Sequence, residues 1–555
     1  MVRATFSGFN TALSALQANQ KRLDITGQNL SNMNTAGYTR QQLEASSLNY
    51  TNPVSHYSNG NETAVGFGVS MDRVSQIRDP YLDIQYRSQS ADCSYTNRLQ
   101  TALNSLSKVL DETTISGIRK AFDDVQSTLT SMQDPAKVSD PIYESELRTK
   151  MQSVCNLFNQ ASRQITQAEQ NEFQRLTGEG SSEQGDVQKI NDILRQIGDL
   201  NVQIKRNQVA GHPSLELQDE RNLLLDELSG YIPVETRYYK DDAHSGNNAY
   251  DYDANGAVIG KKDWPDDLEV SMNYIDTQGK SQKLILVNGS DLGADGLTKN
   301  YGQLSMLKGD HQTAASVSDP ANISIKFEKA PSYQVNGQAA ADVYAELKGI
   351  HFEGGSLQAS LDMLQKKGTG NVINGSVDDV RGYQYYSEKL DQLADTFAKS
   401  MNASNNGNNH KDQNLLSNST DDSTTGITAG NIGISKGWTS GTIHISTDGT
   451  NRTDTILDMI AAMKDTKKLN GKTFADYMNN LSTQLASDSS SNQTALKTGT
   501  TVLNSIQDSR DSLSGVSLDE EATNMMAYVS AYNAASRLMT ALDEVLNTLI
   551  SNTGA

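Results

Sequence analysis

Proline is absent from the last 224 residues of this 555-residue chain, since all nine prolines lie at or before Pro331. Long helices can therefore run unbroken through that stretch. Cysteine is nearly as scarce. Cys93 and Cys155 are the only two, which excludes a disulfide framework and provides no CxxC or Cys/His spacing for zinc; both read as small buried apolar side chains. Apolar residues are also in short supply: counting glycine and leaving out tyrosine gives about 39%, against roughly 45 to 50% for ordinary soluble domains. The charged share is 21%, so neutral Ser, Thr, Asn and Gln fill the gap. That texture suits elongated modules with much exposed surface better than a compact enzyme. A net charge of −20 repels phosphates and anionic headgroups, which argues against nucleic acid as a partner. No run approaches 18 apolar residues, so no membrane insertion is expected. The start, MVRATFSGFNTALSALQ, lacks the apolar run and cleavage site of a secretory signal peptide.

What the chain does have is helical seams. Phe6, Phe9, Leu13, Leu16, Gln20, Leu23, Gly27 and Leu30 repeat in steps of three and four, predicting one amphipathic helix of about 30 residues. Asn32, Asn34 and Gly37 break it, because Asn and Gly tolerate left-handed backbone angles and Asn satisfies turns locally. Short strand-like runs such as Gly66 to Met71 follow. Asp79-Pro80 reads as an N-cap with proline at the first helical position. Beyond it lie further seams: Leu99 to Leu110, Ile118 to Met132, Leu147 to Ala168, Ile190 to Ile204 and, after the GHPS loop at 211–214, Leu217, Leu224 and Leu228.

From Tyr231 to about Phe352 the texture changes to β-branched and aromatic runs punctuated by Gly, Asn and Asp, including Lys283 to Val287 and Ile323 to Phe327. Helical spacing returns at Leu357 to Leu364 and at Tyr386 to Met401. After a polar stretch at 404–430, residues around Gly441 to Ser446 alternate like a strand, and 456–463 and 477–485 look helical. At the C-terminus Ser517 and Glu520 form a capping box, with Asp519, Glu520 and Glu521 in the first turn where the helix dipole favours negative charge. Met525, Val529, Tyr532, Ala535, Met539, Leu542, Leu546 and Leu549 then follow three/four spacing. Residues 1–44 carry +2 and residues 517–555 carry −4, so the two ends are complementary in charge as well as seam. A long seam at each extremity cannot bury its apolar face alone, so these ends are expected to pack with the ends of neighbouring copies.

Three stretches mimic chemical sites. Asp251-Tyr-Asp253-Ala-Asn255-Gly256 begins like a calcium loop, but position 12 is Lys262 where an EF-hand needs a bidentate Glu; an Asn-Gly hairpin turn fits better. Gly433-Ile-Ser435-Lys-Gly437 matches a nucleophile elbow, which needs a strand before it and a helix after it; the alternation that follows reads as strand instead. The seven histidines are scattered with no paired spacing, and no catalytic, cofactor or metal residues are assigned.

The segment Asn29-Leu-Ser-Asn-Met-Asn-Thr-Ala-Gly-Tyr-Thr-Arg-Gln41, directly after the N-terminal helix, resembles the signature of the bacterial flagellar rod, hook and hook-associated axial proteins. The end, Ser514 to Ile550, is similar to the matching C-terminal segment of the same family. The Tyr-Thr-Arg ending, LQDERNLLLDEL at 217–228 and the proline-free helices resemble the branch that forms the hook–filament junction.

The resemblance implies a structural, non-enzymatic role in a ring of identical subunits, with hook protein on one side and hook-associated protein 3 on the other. It also implies export through the flagellar type III apparatus without a cleaved signal, and a cytoplasmic chaperone covering the C-terminal helix. Another axial subunit such as hook protein, or an extracellular coiled-coil adhesin, is the alternative. The expected fold is mainly α with an inserted β domain (α+β): terminal coiled coil at 1–42 and 510–555, central helical bundle with short strands at 43–230 and 353–509, β-rich insert at 231–352. The residues expected to carry assembly are Phe6, Phe9, Leu13, Leu16, Leu23, Leu30, Asn32, Asn34, Gly37, Tyr38, Met525, Val529, Tyr532, Met539, Leu542, Leu546 and Leu549.

Overall fold

The structure, a computed structural model, describes residues 2–48, 68–110, 112–240, 250–252, 258–261, 266–275, 280–289, 299–309, 313–328, 334–335, 338–339, 345–347, 351–373, 376–407, 412–447 and 450–553. The chain opens with helix α1 (Val2–Asn32), then an antiparallel pair, β1 (Gln41–Ser47) and β2 (Val69–Gln76). Helices α2 (Pro80–Val109), α3 (Glu112–Ser131), α4 (Pro135–Val138), α5 (Pro141–Thr177), α6 (Asp186–Val209) and α7 (Leu215–Tyr231) follow. Their starts obey local chemistry: Asp79, Asp134 and Asp140 each cap a helix whose first turn holds proline, with the carboxylate accepting a backbone N–H. Gly178, at φ +74°, ends α5 in the left-handed conformation that glycine adopts without strain.

Strands then dominate: β3 (Glu235–Lys240), β4 (Tyr250–Tyr252), β5 (Val258–Lys261), β6 (Asp266–Ile275), β7 (Ser281–Asn288), β8 (Gln303–Lys308), β9 (Ile323–Glu328), β10 (Gln334–Val335), β11 (Gln338–Ala339), β12 (Ala345–Leu347) and β13 (His351–Phe352). In one sheet β6 pairs with β3, β7 and β13; in another β9 lies between β8 and β12, with every pairing antiparallel. The chain then returns to helices with α8 (Ser356–Gln365), the short pair β14 (Val372–Ile373) and β15 (Ser376–Val377), and α9 (Tyr383–Asn406). A last strand pair, β16 (Leu416–Asn418) with β17 (Ile432–Ile434), precedes α10 (Lys436–Ser440), α11 (Asp454–Lys464), the 41-residue α12 (Phe474–Ser514) and α13 (Leu518–Thr553). The fold is mainly α with β insertions, as the sequence predicts.

One apolar core joins the helices and the strands. Its fully buried members run from Ala102 to Leu485, among them Phe122, Phe158, Phe397 and Phe474 from four helices and Val270, Leu286 and Phe327 from the sheets. Ring centroids of Phe122, Phe397 and Phe474 lie 5.2 to 5.6 Å apart, and each such side chain contributes roughly 1.5 to 3 kcal/mol by leaving water. Asn191 of α6 stitches the sheet to the helices by exchanging two hydrogen bonds with the backbone of Leu304.

Three local expectations need correction. Residues 441–446 form no strand: α10 precedes them, Gly441 at φ +76° terminates it, and the Ile443 amide turns back to Gly437. The helix expected at 477–485 continues to Ser514, because nothing from Ala486 onward breaks it. Cys93 is half-buried, its Sγ 3.4 Å from Thr500 Oγ1, whereas Cys155 is fully buried and its thiol is pushed up to about 12 by loss of solvent.

Candidate functional site

The terminal helices lie antiparallel. Gly8 backs onto Leu542, where an added Cβ would sit 3.4 Å from its methyl, and the Arg22 guanidinium lies 5.6 Å from the Tyr528 ring centroid. The face that α13 presents to α1 is Met525, Tyr528, Tyr532, Ala535, Met539, Leu542 and Leu546, stepping by three and four. Met525, Tyr532, Ala535, Met539, Leu542 and Leu546 of the expected seam lie on this face, whereas Val529 and Leu549 are exposed and Tyr528 takes the place of Val529.

On α1 the expected seam and the buried face differ. Ala12, Ala18, Asn19, Ile25, Thr26 and Asn29 are buried, against α13 on one side and the β1–β2 pair on the other. Ser14 Oγ accepts the Val69 amide at 3.2 Å, and Gly68 approaches so closely that a Cβ would clash with Ser14. Small side chains permit that approach. Leu13 is left 46% exposed, and Phe9, Leu16, Leu23 and Leu30 are half-buried; the side chain of Phe6 lies outside the described residues. Leu13 and Leu16, with Gln17, Gln20, Lys21 and Asp24, floor an open groove of about 780 Å³ walled by Leu43, Met71, Arg73 and Val74 of the strand pair and by Tyr532.

A second apolar stripe runs along α13. Ala527, Ala531, Ala534, Leu538, Ala541 and Val545 repeat in steps of four and three, one residue ahead of the α1-facing seam and so turned about 100° from it. Every member is exposed, Leu538 by 49% and Val545 by 56%. Asp543 and Glu544 flank its end.

Between this unit and the rest of the chain sits a polar joint. Gly37 at φ +77° turns the chain, as expected. Asn32 closes the helix end on the Gln28 carbonyl, while Asn34 is simply exposed. The turn is held chiefly by Asn29, fully buried: its amide donates to the Gln41 carbonyl at 3.0 Å, and its oxygen accepts the Gln41 N–H and the Tyr38 hydroxyl. Burial and the nearby Glu216, Asp219 and Glu521 hold the Tyr38 phenol well above its ordinary range. Thr39 donates both its N–H and its hydroxyl to Asp219 of α7, which also accepts Gln76. Arg40 donates to Glu521 at 2.7 Å and Glu520 at 2.8 Å in the first turn of α13, and its backbone bonds Ser514 and Ile77. Glu520 therefore does not complete a capping box; its amide reaches Ser517 Oγ at 3.5 Å while its carboxylate serves Arg40. Arg510 of α12 adds bonds to Asp83 and Asp226 and stacks 4.2 Å above the Tyr86 ring. Asn29, Thr39, Arg40, Asp219 and Glu521 were not among the expected site residues, although all lie inside the three sequence segments that carry the resemblance. Those segments meet here.

The chemical look-alikes resolve differently. Ser435 does lie between a strand and a helix, correcting the expected strand–strand context, but it is buried and its hydroxyl caps α10 by accepting the Trp438 amide. The Asn255-Gly256 turn lies outside the described residues; β4 and β5 pair on either side of it. Among the described residues no three His, Cys, Asp or Glu side chains gather to hold a metal, and no helix is long and apolar enough to cross a membrane.

Comparison with known proteins follows the same segments. The family described as flagellar hook-associated protein FlgK helical domain matches residues 103–416, flagella basal body rod protein matches 9–39, and the flagellar basal body rod FlgEFG protein C-terminal family matches 509–552. Flagellar hook-associated protein 1 of Bacillus subtilis is 29% identical over 568 residues, covering 99% of each chain. The protein of that name from Salmonella typhimurium is 28% identical over 229 residues, 41% of this chain and 38% of its own. The solved flagellar hook junction protein FlgK from Burkholderia pseudomallei is 18% identical with a TM-score of 0.36, covering 60% of this chain and 44% of that one.

Proposed function

The chain belongs to the flagellar hook-associated protein FlgK family, and from that premise we propose that it is a structural subunit built into the bacterial flagellum at the junction between hook and filament. It assembles with other flagellar components, itself in a ring, hook protein on one side and hook-associated protein 3 on the other. The observation that carries the assembly reading is a pair of apolar surfaces on the terminal unit that no described residue covers. The groove over Leu13 and Leu16 and the stripe through Leu538 and Val545 are different surfaces, so a stripe seated in a neighbour's groove makes a head-to-tail contact, the type of contact from which rings are built. Before assembly the stripe is a surface for a cytoplasmic chaperone, and export runs through the flagellar type III apparatus. No catalytic role is proposed.

Deleting the gene tests the reading. Hooks should remain on the cells while filaments are lost to the medium; filaments that stay attached would refute a junction role.

A further inference from the structure

We infer that Arg40 is the positioning residue of the terminal unit: with Asp219 it forms a polar latch that aims the α1–α13 pair relative to the helical body and can open while the body stays folded. The fully buried members of the main apolar core run from Ala102 to Leu485, so α1, the β1–β2 pair and α13 contribute none of them. The hydrogen bonds at the joint are polar and centre on one turn: Thr39 and Gln76 on Asp219 and Gln76 on the Leu215 carbonyl at 2.9 Å tie it to α7 of the body, the Arg40 N–H on the Ser514 carbonyl ties it to α12, and the Arg40 guanidinium ties it to Glu520 and Glu521 of α13. An apolar joint would expose hydrocarbon on opening. This one exposes groups that water can solvate, and Glu521 remains at the N-terminus of α13, where the helix dipole favours its charge. Arg40 holds four partners at once through fixed guanidinium and backbone directions, so it sets an angle as well as a contact. The latch stands on its own geometry, whether or not stripe and groove meet between copies.

The test is the distance distribution across the joint in the full chain. Nitroxide labels are placed at two exposed positions, Thr523→Cys on α13 and Glu227→Cys on α7, with Cys93→Ser to remove the half-buried thiol; Cys155 is fully buried. The parent should give one narrow distance. Arg40→Ala and, independently, the isosteric Glu521→Gln should widen it roughly twofold as the charge-assisted bonds are lost, with Arg40→Lys intermediate. The main thermal transition should stay within about 2 °C of the parent in each. The inference is overturned if both variants remain as narrow as the parent, if Arg40→Lys is no narrower than Arg40→Ala, or if the main transition falls with the widening, which would make Arg40 part of the folding core.

Discussion

Helices α5 and α13 carry seams of the same spacing and end in opposite environments. On α5, Leu147, Met151, Val154, Phe158, Ala161 and Ile165 are all buried, because α3, α9 and β17 pack around them. On α13 the seam facing α1 is only half-buried, and the stripe beside it, through Leu538 and Val545, meets solvent. Periodicity reports that a helix is amphipathic. It does not report whether the partner lies in the same chain. In the body the partner is internal and the seam supports folding; at the ends part of the apolar surface is left uncovered by the described residues, and that is the surface proposed to serve association.

The comparison can be broken most forcefully from the body side. Phe397→Ala removes a ring that packs edge-on against both Phe122 and Phe474, and it should cost about 3 to 5 kcal/mol of unfolding free energy, read from urea denaturation. In contrast, Leu538→Asp with Val545→Asp places charges on exposed positions and should change the same denaturation by less than about 0.5 kcal/mol. In cells the pair should nonetheless abolish swimming, leaving hooks without filaments, because an unpaired carboxylate buried between subunits costs several kcal/mol. A large stability loss in the double variant, or normal swimming, would show that the two seams do not differ in kind.

Gly37→Val acts at the joint and should cost about 1 to 2 kcal/mol, since a β-branched residue resists the left-handed backbone that Gly37 adopts. Its Cβ would find only ordinary contact with exposed Leu223 at 3.6 Å, so the cost is one of backbone conformation. Reduced incorporation at normal protein levels, measured by quantifying the chain in purified flagella, is the expected outcome.

A smaller effect should follow pH. Burial raises the Asp219 carboxyl from 3.8 to about 6 despite the hydrogen bonds from Thr39 and Gln76 and the nearby Arg78 charge. Between those values the folded joint holds a proton that the open chain releases. Its contribution to stability is therefore present in full below about pH 4 and is lost as pH rises through 6. Exchange of the Thr39 amide, corrected for intrinsic rate, should accordingly be slower at pH 5 than at pH 7.5, and Asp219→Asn should flatten that dependence.

Much of this was legible in the sequence. The body seams from Leu99 to Ile204 and the cap at Asp79 follow from spacing and local chemistry, which depend on near neighbours. On α1 the large apolar residues Phe9, Leu13 and Leu16 carry the visible periodicity, whereas the face buried within the chain includes Ala12, Ala18 and Asn19, and the strand at Gly68 comes close beside Thr11 and Ser14. Hydrophobic periodicity weighs large side chains and passes over that face. The joint was hidden for another reason: Arg40, Asp219 and Glu521 acquire their roles only when segments about 180 and 480 residues apart meet, and nothing in their local spacing marks them.

Hydrogen exchange on the chain as a verified monomer and again within purified hook–filament junctions tests the central claim most directly. In the monomer, residues 518–553 should exchange far faster than 147–165, and on assembly their protection should rise while that of 147–165 stays the same. If residues 518–553 are already as protected as 147–165 in the monomer and assembly changes nothing, the terminal seams are ordinary core and the account is wrong.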